Sequence, residues 1–207
     1  TVAVEQAPLP LIRRLADAGV IVSLGHTDAG YDAARAAMDA GARAVTHLFN
    51  AMSQLGSREP GMVGAALAAG NVFCGVIADG HHVHPESLRV ALAAKRGPGR
   101  LFLVTDAMAS VGWSGDSFVL GGRTVYRRGG RLTLADGTLA GADIDMASAV
   151  RYAARDLGLG TEEALRMASL YPAKLIGDRR RGRLHRDAIA EMVHLDDDLR
   201  VRDVLAF

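Results

Sequence analysis

The stretch "GVIVSLGHTDAGYDAARAAMDAGARAVTH", residues 19–47, decides the fold class. It opens on an apolar run, passes through an alanine-rich segment closed by Gly41, and returns to a second apolar run. Alanine-rich composition with a final glycine marks a helix. Continuously apolar runs of Val, Leu and Ile mark strands buried on both faces. The unit is strand, helix, strand, and its two strands end on His26 and His47.

The same alternation continues outward. A loop, "LFNAMSQLGSREP" (48–60), carries Asn50, Arg58 and Glu59, and "GMVGAALAAG" (61–70) gives a short helical region. "NVFCGVIADGHH" (71–82) is a strand ending near Asp79 to His82. "PESLRVALAAKRG" (85–97) is a helix with Pro85 in its first turn, and "RLFLVTD" (100–106) is a strand ending on Asp106. This is an α/β pattern with a parallel sheet. Parallel strands bring their carboxyl ends to one face, where sites are built. A single His or Asp at a strand end is usually a satisfied polar residue, but four in succession define a site.

Composition narrows the function classes. The chain of 207 residues is 49% hydrophobic and 23% charged, with net charge +1, which describes a globular protein. No basic stripe with interleaved aromatics appears, so nucleic acid is not an expected partner. No apolar run reaches the roughly 18 residues of a membrane span, and no signal peptide is apparent. The single cysteine, Cys74, lies in "VFCGVIA" and reads as a small core hydrophobe. A cytoplasmic setting follows as the expectation. The opening "TVAVEQ" shows no recognisable start of an element.

Beyond Asp106, "DSFVLGGRTVYRRGGRLTLADGTLAG" (116–141) is broken by Gly-Gly and Asp-Gly and reads as hairpins. "MASAVRYAARDLGLGTEEALRMASLYPAKLIG" (146–177) predicts two helices, the second capped by Thr161 ahead of Glu162 and Glu163. "RRRGR" (179–183) is a solvated loop, and "AEMVHLDDDLRVRDVLAF" (190–207) returns to β structure.

Two neutral imidazoles on adjacent strands suit a borderline metal such as zinc. A catalytic zinc takes three protein ligands plus water, so His26 and His47 leave the set one short. Asp106 is either a further ligand or the base that takes a proton from water. His82 can donate to a substrate carbonyl oxygen. There is no G-x-S-x-G elbow, no phosphate-binding G-x-x-x-x-G-K-[ST], no G-x-G-x-x-G after a strand and no C-x-x-C. Metal-assisted hydrolysis is the reaction class these residues support.

Together "SLGHTDA", "THLFNAM", "REPG", "IADGHHV", "VTDA", "GTLAG" and "RMASLYPAKLIG" resemble the N-acetylglucosamine-6-phosphate deacetylases of the amidohydrolase superfamily. The resemblance runs from about residue 17 to the end. It implies that His26 and His47 bind a divalent metal, zinc first and iron as an alternative, and that Asp106 is the catalytic aspartate. It implies substrate contacts from Asn50, Ala51, Arg58, Asp79, Gly80, His81, His82, Leu139, Ala140 and Gly141. Of these, His82 holds the motif's histidine position and His81 a variable one. The implied substrate is N-acetylglucosamine 6-phosphate, in amino-sugar catabolism. The implied assembly is a homodimer in which Arg58 reaches the phosphate in the neighbouring subunit's site. The alternative for Arg58 is a surface ion pair with Glu59.

The implied fold is a (β/α)₈ barrel with a small β-domain. Residues 1–112 are then a partial barrel, 113–135 a hairpin segment, 136–180 helices completing the barrel, and 181–207 a β segment of the small domain. The sequence departs from the family pattern in two places. The family's metal-binding glutamate, in an upstream "H-x-E-G-P" motif, has no counterpart, and a (β/α)₈ barrel needs about 250 residues. The expectation is of a segment beginning near the fifth barrel strand, with open sheet edges and weak metal binding by itself. Near the end, "GRLHRDAIAEMVHLDDDLRV" (182–201) places His185, Arg186 and Asp187 where a Pro-Gly turn is usual, and Glu191 where Asp is usual. Two other readings are a metal-dependent amidohydrolase acting on a cyclic amide, against which "REPG" and "NAM" speak, and a non-catalytic sugar-phosphate-binding fragment or subunit.

Overall fold

The computed structural model describes residues 1–206. Its centre is a parallel sheet of four strands in sequence order: β1 Ser23–Leu24, β2 Ala44–Val45, β3 Phe73–Ile77 and β4 Leu101–Val104. Helices α2 (Tyr31–Asp39), α3 (Gly61–Ala68) and α4 (Pro85–Ala94) connect them, and α1 (Leu9–Asp17) precedes β1. The apolar runs behave as expected for strands covered on both faces. All five residues of β3 are buried, and Leu24, Val45, Met62, Ile77, Leu88 and Leu103 belong to one continuous core. Regular pairing in β1 and β2 is only two residues long, shorter than the apolar runs that contain it.

The opening residues correct one expectation. Val2 forms a parallel bridge with Leu24, its N–H donating to Ser23 O at 2.8 Å while Gly25 N–H donates to Val2 O at 3.1 Å. The opening residues, which show no element start in the sequence, therefore pair with β1 at Val2.

After β4 a second, antiparallel sheet forms in the order β5 (Ser117–Leu120), β6 (Arg123–Arg128), β7 (Arg131–Thr133) and β8 (Leu139–Ala142). The Gly-Gly and Asp-Gly pairs fall at its turns, where left-handed backbone is needed. Helix α5 (Met146–Arg155) follows, with the Asp145 carboxylate accepting the Ser148 N–H at 2.6 Å as its N-cap. Next come α6 (Gly160–Leu165), a π-helical turn (Arg166–Leu170) that packs on β4, and α7 (Tyr171–Ile176). Thr161 is not the cap of α6. The helix starts one residue earlier, at Gly160, so the Thr161 side chain is already inside the first turn, and Glu162 and Glu163 pair instead with Arg166. The chain closes in an antiparallel hairpin, β9 (Glu191–Leu195) with β10 (Val201–Ala206). Glu191 pairs with Arg181 of the basic loop at 3.1 Å.

Candidate active site at the strand tips

Each parallel strand delivers its polar residue two positions beyond its last paired residue. His26 follows Leu24, His47 follows Val45, Asp79 follows Ile77 and Asp106 follows Val104. Three of these tips adopt left-handed backbone: His26 at φ 53°, His47 at φ 29° and Asp106 at φ 49°. Ala51 (φ 47°) and Phe49 (φ 80°) do the same in the loop behind His47. Non-glycine residues rarely take this conformation, which costs of order 1–3 kcal/mol and collects at functional sites. At the β3 tip the left-handed position falls on Gly80 (φ +75°), where an added Cβ would also sit 3.1 Å from the Tyr152 hydroxyl.

His26 and His47 meet. Their Nε2 atoms are 3.1 Å apart, with the rings edge to face at 81°. His47 is buried at 5% exposure, whereas His26 is exposed. Two nitrogens bound to one tetrahedral ion at about 2.0–2.1 Å would be separated by roughly 3.3 Å, so the pair fits as two ligands of one divalent ion. His47 Nδ1 is buried and has no hydrogen-bond partner among the described residues. Among the described residues no group of three or more His, Cys, Asp or Glu could hold a metal.

The loops behind the two histidines are stitched together. Thr27 bridges Met52, the Thr27 N–H donates to Ala51 O at 3.1 Å, and the Ser53 hydroxyl donates to Ala29 O at 2.6 Å. Asn50 folds back, its Nδ2 donating to His47 O at 3.3 Å. Glu5 adds a brace from the opening segment: its carboxylate accepts the Thr27 hydroxyl and, at 3.1 Å, the Asp28 N–H. Those bonds, with the Thr27 hydroxyl first, hold its carboxyl below the usual range.

Glu59 does not pair with Arg58. Its carboxylate accepts the Tyr31 N–H at 2.7 Å and the Gly61 N–H at 2.9 Å, capping α2 and α3 at once. These two bonds lower its pKa. Arg58 is left exposed in the loop, without a hydrogen-bond or ion-pair partner among the described residues.

At the β3 tip, Asp79 organises its own segment. Its carboxylate accepts the His81 and His82 N–H groups at 2.8 and 2.9 Å and contacts His82 Nδ1 at 2.5 Å. Burial works to raise the Asp79 pKa, but the His82 ring and the two backbone donors outweigh it, and the net shift is downward. With Nδ1 committed, His82 Nε2 is the ring atom available to a ligand. His81 turns to the second sheet, where its Nδ1 accepts from Arg131 Nε at 3.1 Å.

Asp106 meets the segment Leu139–Gly141 through the backbone. The Ala142 N–H donates to Asp106 O at 3.2 Å, the Met108 N–H donates to Ala142 O at 3.1 Å, and Ala107 bridges Ala142. The exposed Asp106 is thereby set beside the β8 loop. Sequence reasoning did not anticipate Glu5, Tyr152 and the Arg127–Asp143 pair, all of which act on the site's loops from elsewhere in the chain.

Parallel strand–helix units with histidine and aspartate at their tips place the chain in the α/β class, with its polar tips on one face of the sheet. The chain belongs to the amidohydrolase family, whose model matches residues 7–205. It is 47% identical over 201 residues to an N-acetylgalactosamine-6-phosphate deacetylase of Shewanella sp. (strain ANA-3), covering 97% of this chain and 51% of that protein. The crystal structure of N-acetylglucosamine-6-phosphate deacetylase from Pasteurella multocida superposes with a TM-score of 0.93 at 39% identity, covering 99% of this chain and 54% of that one. A mutant of the Mycobacterium smegmatis enzyme in complex with N-acetyl-D-glucosamine-6-phosphate gives a TM-score of 0.90 at 39% identity, covering 99% and 55%. The chain spans about half the length of the curated relatives it matches. Its four strand–helix units are part of the same barrel fold.

Proposed function

We propose that this chain carries the strand-tip half of an active site that deacetylates N-acetylglucosamine 6-phosphate, releasing glucosamine 6-phosphate and acetate. The observation that carries the reading is the approach of the His26 and His47 Nε2 atoms at the edge of the sheet whose other tips are Asp79 and Asp106. The names of the relatives support the substrate class.

His26 and His47 hold the divalent ion, zinc on this reading with iron as the alternative, and that ion when bound supplies Lewis acidity at the acetyl group. Asp106 takes the proton of the attacking water, then returns it to the sugar nitrogen as the C–N bond breaks. His82, fixed by Asp79, offers Nε2 to the substrate. Asn50, Ala51, His81 and the Leu139–Gly141 loop line the sugar. Arg58 offers a planar fork matched to phosphate oxygens, and its outward presentation suits delivery into a neighbouring subunit of a homodimer. The setting is cytoplasmic. No helix among the described residues is long and apolar enough to cross a membrane.

A second reading changes only the C4 epimer. The Shewanella relative, at 47% identity, is named for N-acetylgalactosamine 6-phosphate, which has the same acetamide and phosphate. The test measures acetate release from both sugar phosphates by the full polypeptide, with bound metal counted, and repeats it with Asp106→Asn. Expected are turnover of at least one epimer, loss of metal in His26→Ala and His47→Ala, and loss of most turnover in Asp106→Asn with substrate binding kept. Near-normal turnover in Asp106→Asn removes it from the mechanism.

A further inference from the structure

Arg127 lies in β6, outside every motif that marks the site, yet all of its side-chain nitrogens are engaged. Nε donates to Asp143 Oδ2 at 2.6 Å and Nη2 to Asp143 Oδ1 at 3.0 Å, a two-pronged ion pair. Nη2 also donates to Ser110 O at 2.5 Å, and Nη1 donates to Gly115 O at 2.9 Å and to Trp113 O. A guanidinium has five N–H donors in a fixed fork, and five bonds are made. The pair is largely buried, with the two side chains 18% and 12% exposed.

Its partners lie on the two segments that flank the candidate base. Ser110, Trp113 and Gly115 belong to the loop that leaves Asp106. Asp143 follows Ala142, the residue hydrogen-bonded to both Asp106 O and the Met108 N–H. The loop is therefore tied at its start by Ala142 and at its far end by Arg127. Gly141 adds a close approach, since at φ +127° a Cβ there would lie 2.7 Å from Met108 Cγ. Asp106 itself sits in left-handed backbone, a conformation that persists only where the surroundings hold it.

We propose that Arg127, with Asp143, is a positioning residue for the reaction, clamping the Asp106 loop and the Leu139–Gly141 substrate segment into one frame. This role rests on the deacetylase reading above. Arg127 touches no reacting atom and acts through the two segments it joins. Lysine cannot replace it, because an ammonium has three donors and no fork.

The test compares the full polypeptide with Arg127→Lys, Arg127→Ala and Asp143→Asn, measuring kcat, KM and Tm on the sugar phosphate that the wild type hydrolyses. A displacement of about 1 Å at a reacting group costs on the order of 10²-fold in rate. Arg127→Lys and Asp143→Asn should each lose kcat toward that extent, with KM changed far less and the folded fraction intact. Millimolar methylguanidinium should restore part of the kcat of Arg127→Ala and leave Arg127→Lys unmoved, a response that a general loss of stability would not give. If Arg127→Ala does not fold, the kcat split in Arg127→Lys and Asp143→Asn decides. Unchanged kcat in those two variants, or a loss that follows the unfolded fraction, overturns the clamp. A wild type that hydrolyses neither epimer removes the deacetylase reading and this role with it. That outcome is distinct from an active wild type whose variants match it.

Discussion

Arg58→Ala takes away a guanidinium that is exposed and bonded to nothing else among the described residues, while its neighbour Glu59 continues to cap α2 and α3. The loop geometry does not depend on the arginine, so the stability cost should stay within about 0.5 kcal/mol, the range for surface substitutions. In a domain of this size that is a Tm change of no more than about 2 °C. Losing a charge-assisted, two-pronged contact to phosphate costs about 3 kcal/mol, which corresponds to roughly two decades in kcat/KM. The assay measures acetate release from N-acetylglucosamine 6-phosphate and from unphosphorylated N-acetylglucosamine, with Tm recorded alongside. The phosphorylated sugar should lose about 100-fold, mainly in KM, and the unphosphorylated sugar less than about 3-fold. Equal losses on both sugars, or a Tm drop of several degrees, would refute the reasoning and make Arg58 a structural residue.

Burial pushes the Cys74 thiol up to about 12 despite the opposing charge of Lys95, so iodoacetamide at pH 8 should label the chain only after unfolding. Native labelling at the rate of a free thiol would show that β3 is not closed. Lys95 Nζ donates to Ala66 O at 3.0 Å and to Ala69 O, at the end of α3. Lys95→Met should therefore cost about 2–3 kcal/mol and lower Tm by roughly 5–10 °C, and an unchanged Tm would count against that cap. The net depression of the Asp79 pKa means stability that is present above the unfolded value of about 3.9 and lost as pH falls through the folded value. Asp79→Asn should flatten the acid limb of Tm against pH below about pH 4, and an acid limb identical to wild type would show that the carboxylate contributes nothing there.

The alternation of apolar runs with alanine-rich segments was enough to derive a parallel α/β sheet and to put His26, His47, Asp79 and Asp106 at its strand ends. Burial on both faces demands apolar residues in succession, and a polar residue ending such a run is visible in the chain itself. Local chemistry was less reliable where one residue decides. Thr161 carries the right side chain for a cap, yet α6 starts at Gly160 with Leu159 at the cap position and no side-chain cap bond. What only the tertiary structure decided are the meetings across distance: Val2 on the edge of β1, Glu59 serving two helix N-termini, His81 against Arg131, and Arg127 holding Ser110, Gly115 and Asp143. Periodicity reports whether a segment is buried and along which face. A polar side chain's partner depends on which loops the fold brings within about 3 Å of it, and no local pattern records that.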